Sequence, residues 1–413
     1  MKFCFAQTYS REESSKKEKK RNRETSSRQM NPPRFSSLVV GGGPCGILAV
    51  GICLDHIKRL RYLPNMKPKK VAWVNSGKFT DIGGRFNRYD KVPGNTPVHV
   101  IESAFGMIDS LNYTAKLSVS DPQKTCELSV MIDALKKLSA HLIEDNPKHL
   151  QPFPTTFVSS LDFNTISKTF TAETNNGESV RADNVILVTG GVPNPSHIHP
   201  HLHTICPTNA CIPNHPELQA CASKNVTIVG NSHTGMLIAQ NLLESTIINP
   251  RKVNVLYLEK TIHAETRDGG LWTKNDGTGL KGTVSQWVKD SIDTGAFGPK
   301  FSYVKNLCTS LAETNKLIDA LDSDVVIYST GFVNNLTLPI LKRDGKELNE
   351  QETIYKAYDG FSGEILPQLF GGGIGFPEKW QDPEGKSEHR VGFNIPYVKH
   401  MKRIVKRQRQ FEE

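Results

Sequence analysis

Two glycine-rich turns carry the residue types and spacing that bind a dinucleotide diphosphate. In the first, Gly41, Gly43 and Gly46 fit G-x-G-x-x-G, with Pro44 and Cys45 inside the pattern. Gly41 permits the tight turn out of a strand. Gly43 has no Cβ, so a pyrophosphate can approach the backbone, and Gly46 lets the following helix pack closely. The helix N-terminus then offers free N–H groups and about half a positive charge to the phosphates. In the second turn Gly230 and Gly235 hold the two ends, and Ser232 stands at the middle glycine position with His233 and Thr234 beside it. The Ser232 hydroxyl could donate to a phosphate. His233 near a helix N-terminus suits a phosphate neighbour or a plain cap better than a catalyst. One such turn could equally be a strand–helix connection with no ligand. Residues 38–54 also form an uncharged run, but its glycines and proline suit a turn better than a membrane span, and it is slightly short for one. The return of the pattern about two hundred residues later carries the nucleotide reading.

The elements that must position these turns are legible around them. Leu38-Val39-Val40 reads as a buried strand feeding the first turn, and an apolar helix continues to about Arg61. A second strand, Val71 to Val74, ends at Asn75 and Ser76, where an acid usually binds the adenosine ribose. Asn75 can still accept through Oδ1, without charge assistance. After the second turn the strand Val253 to Leu258 ends in Glu259. An acid there would bind a ribose 2′-hydroxyl and repel a 2′-phosphate, favouring NADH, although Lys260 and Arg267 are close enough to reverse that. The loop Asp81 to Val98 contains Gly83-Gly84-Arg85. Paired glycines with a cation suit a loop over a diphosphate or flavin ring, or an ordinary surface turn.

Further along, Leu128, Met131, Ile132, Leu135, Leu138 and Leu142 form one apolar stripe of a helix over 127–146, a core face. Residues 157–181 alternate and read as a small antiparallel sheet, which closes on the strand Asn184 to Val188. His197, His199, His201, His203, Cys206, Cys211 and His215 crowd a proline-rich connector. They could bind zinc or copper, or simply be a solvated loop. Cys206-x4-Cys211 has the spacing of a redox disulfide, but not the position such a pair takes just after a first glycine turn. Gly269 to Gly282 is a lid, a substrate loop or an exposed connector. An amphipathic helix, Val284 to Ile292, follows. The last helix, Pro396 to about Gln410, sets Val398, Met401 and Val405 on one side and is expected to dock on the body rather than a membrane.

At 413 residues the chain can hold two domains. Residues 1–35 carry ten Lys/Arg and four Glu, so a polar tail holds +6 of the net +9. The tail is expected to be disordered, and Lys16 to Arg23 is either a nuclear address or plain solvated charge. The mildly basic remainder gives no reason to expect a nucleic-acid partner. Eight scattered cysteines without C-x-x-C pairs fit reduced thiols, and the N-terminus has neither a signal-peptide core nor an acid-poor transit sequence. A cytoplasmic protein without stable membrane insertion is expected. Oligomeric state is not legible.

The order of the pieces resembles a two-dinucleotide-binding flavoprotein, nearest to the flavin-containing and N-hydroxylating monooxygenases. Gly41-x-Gly43-x-x-Gly46 resembles the FAD turn, and Gly230 to Gly235 the nicotinamide turn. Val185 to Gly190 and Val325 to Gly331 resemble the paired Ala-Thr-Gly strands, which implicates Thr189, Gly190, Thr330 and Gly331 in the cofactor sites. Gly371 to Glu378 resembles the last FAD strand, with Gly373 and Ile374 against the cofactor, although the usual Gly-Asp is missing. Gly83-Gly84-Arg85-Phe86 resembles a Gly-Gly-x-Trp/Phe segment, and Arg88 to Thr96 the stretch that carries an active-site Asn, here Asn95 with Thr96 beside it. The linker motif F-x-G-x-x-x-H is absent. The resemblance implies an α/β fold of two Rossmann-like, three-layer β/β/α domains. The FAD domain (36–220 and 325–413) would be split by an inserted NAD(P) domain (221–324). It further implies FAD and NAD(P)H as cofactors, O2 and a small nucleophile as substrates, and a flavin hydroperoxide to which Asn95 donates a hydrogen bond. A reductase without oxygen insertion and a non-catalytic nucleotide-binding protein remain the alternatives.

Overall fold

The computed structural model describes residues 33–60, 69–78, 84–113, 117, 119–259, 262–268, 272–334 and 338–408, with Gly84 and Arg85 as backbone only. The tail readings, Gly83 and Gly269 to Leu271 lie outside these residues. The β-branched run ahead of the first turn forms the strand Arg34–Val40, so the tail ends earlier than 35; Phe35 is already buried in the core. This strand pairs in parallel with Val71–Val74, from Ser37 opposite Val71 to Val40 opposite Val74. That strand in turn pairs with Leu150–Phe153. On the other side lies Ser179–Leu187, followed by Val188, whose N–H donates to the Val40 carbonyl at 2.9 Å. The antiparallel strands Val158–Asn164 and Thr169–Thr174 continue outward from Ser179–Leu187. The small antiparallel sheet expected there is thus the wing of one ten-stranded sheet.

Among the described residues, helices Pro44–Leu60, Val98–Gly106, Leu128–Asp145 and Ile395–Arg407 share one core on one side of this sheet. Pro44–Leu60 buries Ile47, Leu48, Val50 and Leu54. Leu128–Asp145 packs on it with Met131, Leu135, Leu138 and Leu142, and Ile395–Arg407 adds Val398, Met401, Ile404 and Val405 to the same core. Each such side chain contributes roughly 1.5–3 kcal/mol by leaving water. The last helix therefore docks as expected, while Lys399, Lys406 and Arg407 face outward. Among the described residues no helix is long and apolar enough to cross a membrane.

A second, five-stranded parallel sheet has the order Phe301–Lys305, Lys252–Tyr257, Asn225–Val229, Val325–Tyr328, His203–Thr204. Val325–Tyr328 was expected to open the return segment, but its partners place it in this sheet, so a boundary at 324/325 would cut it from its own layer. The helix His233–Leu243 follows Asn225–Val229. Gly282–Trp287, continued by the π turn Val288–Ile292, is the amphipathic helix expected near 284. The chain passes between the sheets along Gly191–Pro193 and Phe332–Asn334, and these two crossing segments pair antiparallel with each other. Trp272–Lys274 pairs with Glu265–Arg267, and beyond it Asn275 and Leu280 are buried while Gly277 and Thr278 are exposed, so the described part of that stretch is anchored at intervals rather than free throughout.

Candidate functional site

The two glycine turns are built alike at their outer glycines. The Gly41 N–H donates to the Val74 carbonyl and the Gly230 N–H to the Leu256 carbonyl, each at 2.9 Å. Gly41 has φ +130° and Gly230 φ +109°. A Cβ on Gly41 would lie 2.3 Å from the Val188 carbonyl oxygen, and one on Gly230 2.3 Å from that of Ser329. A Cβ on Gly46 would lie 2.1 Å from the Gly41 oxygen, and one on Gly235 1.9 Å from the Gly230 oxygen. The outer glycines are therefore fixed by backbone packing in both turns. The middle positions differ. Nothing lies within 4 Å of where a Gly43 Cβ would be, so that position faces open space. Ser232 is the exposed N-cap residue of the second helix and makes no capping bond with its side chain.

Both turns open on one cavity of about 710 Å³. Gly41, Gly43, Pro44 and Cys45 line it from the first turn, and His233 and Thr234 from the second. Asn75, Ser76, Asn95, Thr96, Thr189, Gly190, Gly373 and Ile374 are brought to the same walls. Gly46, Gly230, Ser232, Gly235, Glu259, Thr330 and Gly331 are not among the lining residues. The first, second and fourth of these shape the turns. Glu259 is exposed and its carbonyl accepts from Asn231 Nδ2 at 3.0 Å. Thr330 Oγ1 lies 2.6 Å from His197 Nδ1. Gly84 and Arg85 open the 3-10 turn Gly84–Tyr89, whose Phe86, Arg88 and Tyr89 line the cavity.

The polar groups of these walls fit a polyanion. Among the described lining residues Arg88 alone carries a fixed charge, and none is acidic. His233 holds Nδ1 buried without a hydrogen-bond partner. Burial, helped by Lys281, pushes its imidazole down to about 4, so the ring is neutral at pH 7 and Nδ1 is left for a ligand. The open side of Gly43 at a helix N-terminus and the unpartnered ring at another are the features that a bound dinucleotide would satisfy. Asn75 is buried and donates Nδ2 to the carbonyls of Gly77 (3.1 Å) and Lys78 (3.4 Å), which leaves Oδ1 as its acceptor. Asn95 Oδ1 accepts from Thr96 Oγ1 at 3.2 Å. Asn95 is exposed.

Several lining residues escaped the sequence reading. Leu128 and Met131 belong to the stripe read as core, yet both also face the cavity. Phe393 packs edge-on against Phe86, ring centroids 5.6 Å apart, and Asn394 follows it. Tyr89 donates to Thr208 Oγ1 at 3.2 Å, so the connector supplies part of the wall through Pro207, Thr208 and Cys211. Among the described residues no group of histidines, cysteines and acids could hold a metal ion. His199 is instead a buried structural residue: its Nδ1 accepts from the N–H groups of His201 and Leu202, and its Nε2 faces Asp319 at 3.3 Å. Cys206 and Cys211 flank the four-residue helix Pro207–Ala210 as free thiols. Cys45, Cys126 and Cys211 all reach the cavity. Burial pushes the first and last up to about 12 and raises the second as well.

No family model matches the chain. It is similar to a protein named monooxygenase AgnR1 from Paecilomyces divaricatus, at 24% identity over 91% of this chain and 98% of that one. Among solved structures, the bacillithiol disulfide reductase Bdr (YpdA) of Bacillus cereus aligns at 13% identity over 92% of this chain and 99% of its own, with a TM-score of 0.51. OTEMO in complex with FAD and NADP aligns at 16% identity over 64% of this chain, with a TM-score of 0.40, and the alignment spans 45% of that protein's length. At 13% identity the likeness to the reductase is one of fold, and it covers 92% of this chain.

Proposed function

We propose that this chain is an FAD-dependent oxidoreductase that consumes NAD(P)H and acts as a monooxygenase on a small nucleophilic substrate. The observation that carries the proposal is the single cavity onto which both glycine turns open. The full-length similarity to a protein named a monooxygenase supports the oxygenating branch over plain reduction. FAD bound there would supply hydride acceptance and reaction with O2.

In this reading Gly41, Gly43, Pro44, Cys45 and Gly46 cradle the FAD diphosphate, and Asn75 with Ser76 takes the ribose. Gly84, Arg85, Thr189, Gly190, Gly373 and Ile374 border the same cofactor. Gly230, Ser232, His233, Thr234 and Gly235 take the nicotinamide nucleotide, with Glu259 at its ribose and Thr330 and Gly331 closing its domain. The sheet of the inserted domain includes His203–Thr204 and Val325–Tyr328, so that domain reaches beyond 221–324 at both ends. Asn95, with Thr96 fixing its Oδ1, is left with Nδ2 to donate into the cavity. The reduced thiols fit a cytoplasmic setting. The test is the visible spectrum of the purified full chain. Flavin absorbance that bleaches with NADH or NADPH, and recovers in air with O2 consumed and without equivalent hydrogen peroxide once substrate is present, is the expected result. A protein that binds no flavin overturns the proposal. Recovery that always yields stoichiometric peroxide, whatever nucleophile is added, removes the monooxygenase half.

A further inference from the structure

Two hairpins stand outside both sheets and grip each other. One is Glu265–Arg267 with Trp272–Lys274, the other Glu378–Gln381 with Ser387–Arg390. Trp272 and Trp380 meet with ring centroids 6.4 Å apart. Lys274 Nζ reaches Glu384 Oε2 at 2.5 Å, and Lys386 Nζ donates to Asn275 Oδ1 at 2.9 Å. The Gly277 N–H donates to Glu388 Oε2 at 3.1 Å, and a Cβ on Gly277 would strike the His389 carbonyl oxygen at 2.3 Å. At the centre Asp276 is shared. Its Oδ1 pairs with Lys281, and its Oδ2 lies 3.5 Å from Arg390 Nε. The Arg390 guanidinium sits 3.4 Å over the Trp380 ring.

The three charged side chains are only 15–22% exposed. Charges held this far from water are a poor source of stability, since an apolar contact of the same volume would serve as well or better. What they fix is position. Arg390 is followed directly by Val391 to Asn394, a wall of the cavity. Lys281 is followed directly by Gly282, which abuts Asn95: a Cβ there would lie 3.6 Å from the Asn95 Cα. Lys281 is also the cation that acts on His233. One carboxylate thus joins the segment behind Phe393 and Asn394 to the segment behind Asn95.

We propose that Asp276 is a positioning residue, the pin of an ionic clasp that holds these two walls of the cavity at a set spacing. The proposal rests on the flavoenzyme reading only for what the walls face. Hydrogen exchange of the full chain without nucleotide tests it directly. In Asp276→Asn, amides of 275–282 and of the paired strand Ser387–Arg390 that leads into the 391–394 wall are expected to exchange at least about tenfold faster together, while those of the strand Arg34–Val40 keep their rate. Asp276→Glu, which keeps the carboxylate, is expected to restore both segments. In flavin-loaded protein, Asp276→Asn is expected to divert a larger share of NAD(P)H electrons to hydrogen peroxide, with Asp276→Glu again restoring the parent share. Faster exchange confined to 275–282, or unchanged exchange in both segments, overturns the pin. A global rise that includes Arg34–Val40 reduces Asp276 to a stability role and overturns it too. If the chain binds no flavin, the functional reading falls while the exchange result still decides the clasp.

Discussion

Asn75 stands where a nucleotide-binding strand usually ends in an acid, and its contacts explain why an amide suits this chain. Its Nδ2 donates to two carbonyl oxygens of its own loop. A carboxylate would place negative charge against both. Restoring the acid with Asn75→Asp is therefore expected to weaken FAD binding about fivefold, the worth of roughly 1 kcal/mol of lost hydrogen bonding, rather than strengthen it. Equilibrium dialysis of flavin checks this, and tighter binding would reverse the account. His233 carries a second residue-scale consequence. Its folded value near 4 lies below the ordinary imidazole value near 6.5. Between the two the unfolded chain takes up a proton that the folded chain refuses, so stability falls as pH drops from about 6.5 to about 4. His400, pushed down to about 4 by burial and then by Arg403 and Arg407, adds in the same sense. Urea unfolding across this window is expected to show a slope shallower by up to one proton in His233→Asn. Asn95→Ala is expected to keep NAD(P)H oxidation but raise the peroxide yield, measured with a peroxidase-coupled dye. An unchanged yield removes Asn95 from the chemistry. The spacing of the glycines made the turns legible at this scale. The isolation of the His233 ring was not, because it depends on Lys281 and other groups far along the chain.

The strand–turn–helix element is where sequence and structure agree most closely, and packing supplies the reason. At Gly46 and Gly235 the Cβ position is filled by a backbone oxygen, so the pattern survives only with glycine there. Gly235→Ala is expected to push the second helix off its strand at a cost of about 1–3 kcal/mol. FAD would be retained while the rate of flavin reduction by NAD(P)H falls at least tenfold in stopped flow. Normal reduction would separate this turn from nicotinamide binding. The stripe at 128–142 was legible as a helix, but its end was not legible as cavity wall, since periodicity reports a buried face without naming what covers it. The connector at 197–215 was left open between metal ligands and a solvated loop for a related reason. Its histidines look like ligands in a row, yet His199 is consumed by local N–H groups and Asp319, and the useful contributions are Pro207, Thr208 and Cys211.

At the scale of the molecule, both sheets were readable as nucleotide-binding layers because each repeats strand, glycine, helix and strand in order. The strand Val325–Tyr328 was read correctly as a strand and assigned to the wrong side of a boundary, because sheet membership is decided by pairing across nearly a hundred residues. The ring contacts of Phe86 with Phe393 and the clasp between hairpins are likewise products of chain return. A cavity shared by two nucleotide turns predicts that a ligand at one is sensed at the other. Saturating NAD(P)+ is expected to perturb the visible flavin spectrum of the oxidised protein, and Gly235→Ala to abolish the perturbation. A spectrum indifferent to the nucleotide would mean that the two sites do not meet.

The three thiols around the cavity bear on endurance. On the proposed function the chamber would meet stray oxidants at every cycle, and cysteine is damaged through its thiolate. With values near 12, Cys45 and Cys211 hold on the order of one thiolate in ten thousand at pH 8. By keeping these sulfurs protonated, the same burial that closes the walls slows the wear that would otherwise limit how many turnovers one molecule survives.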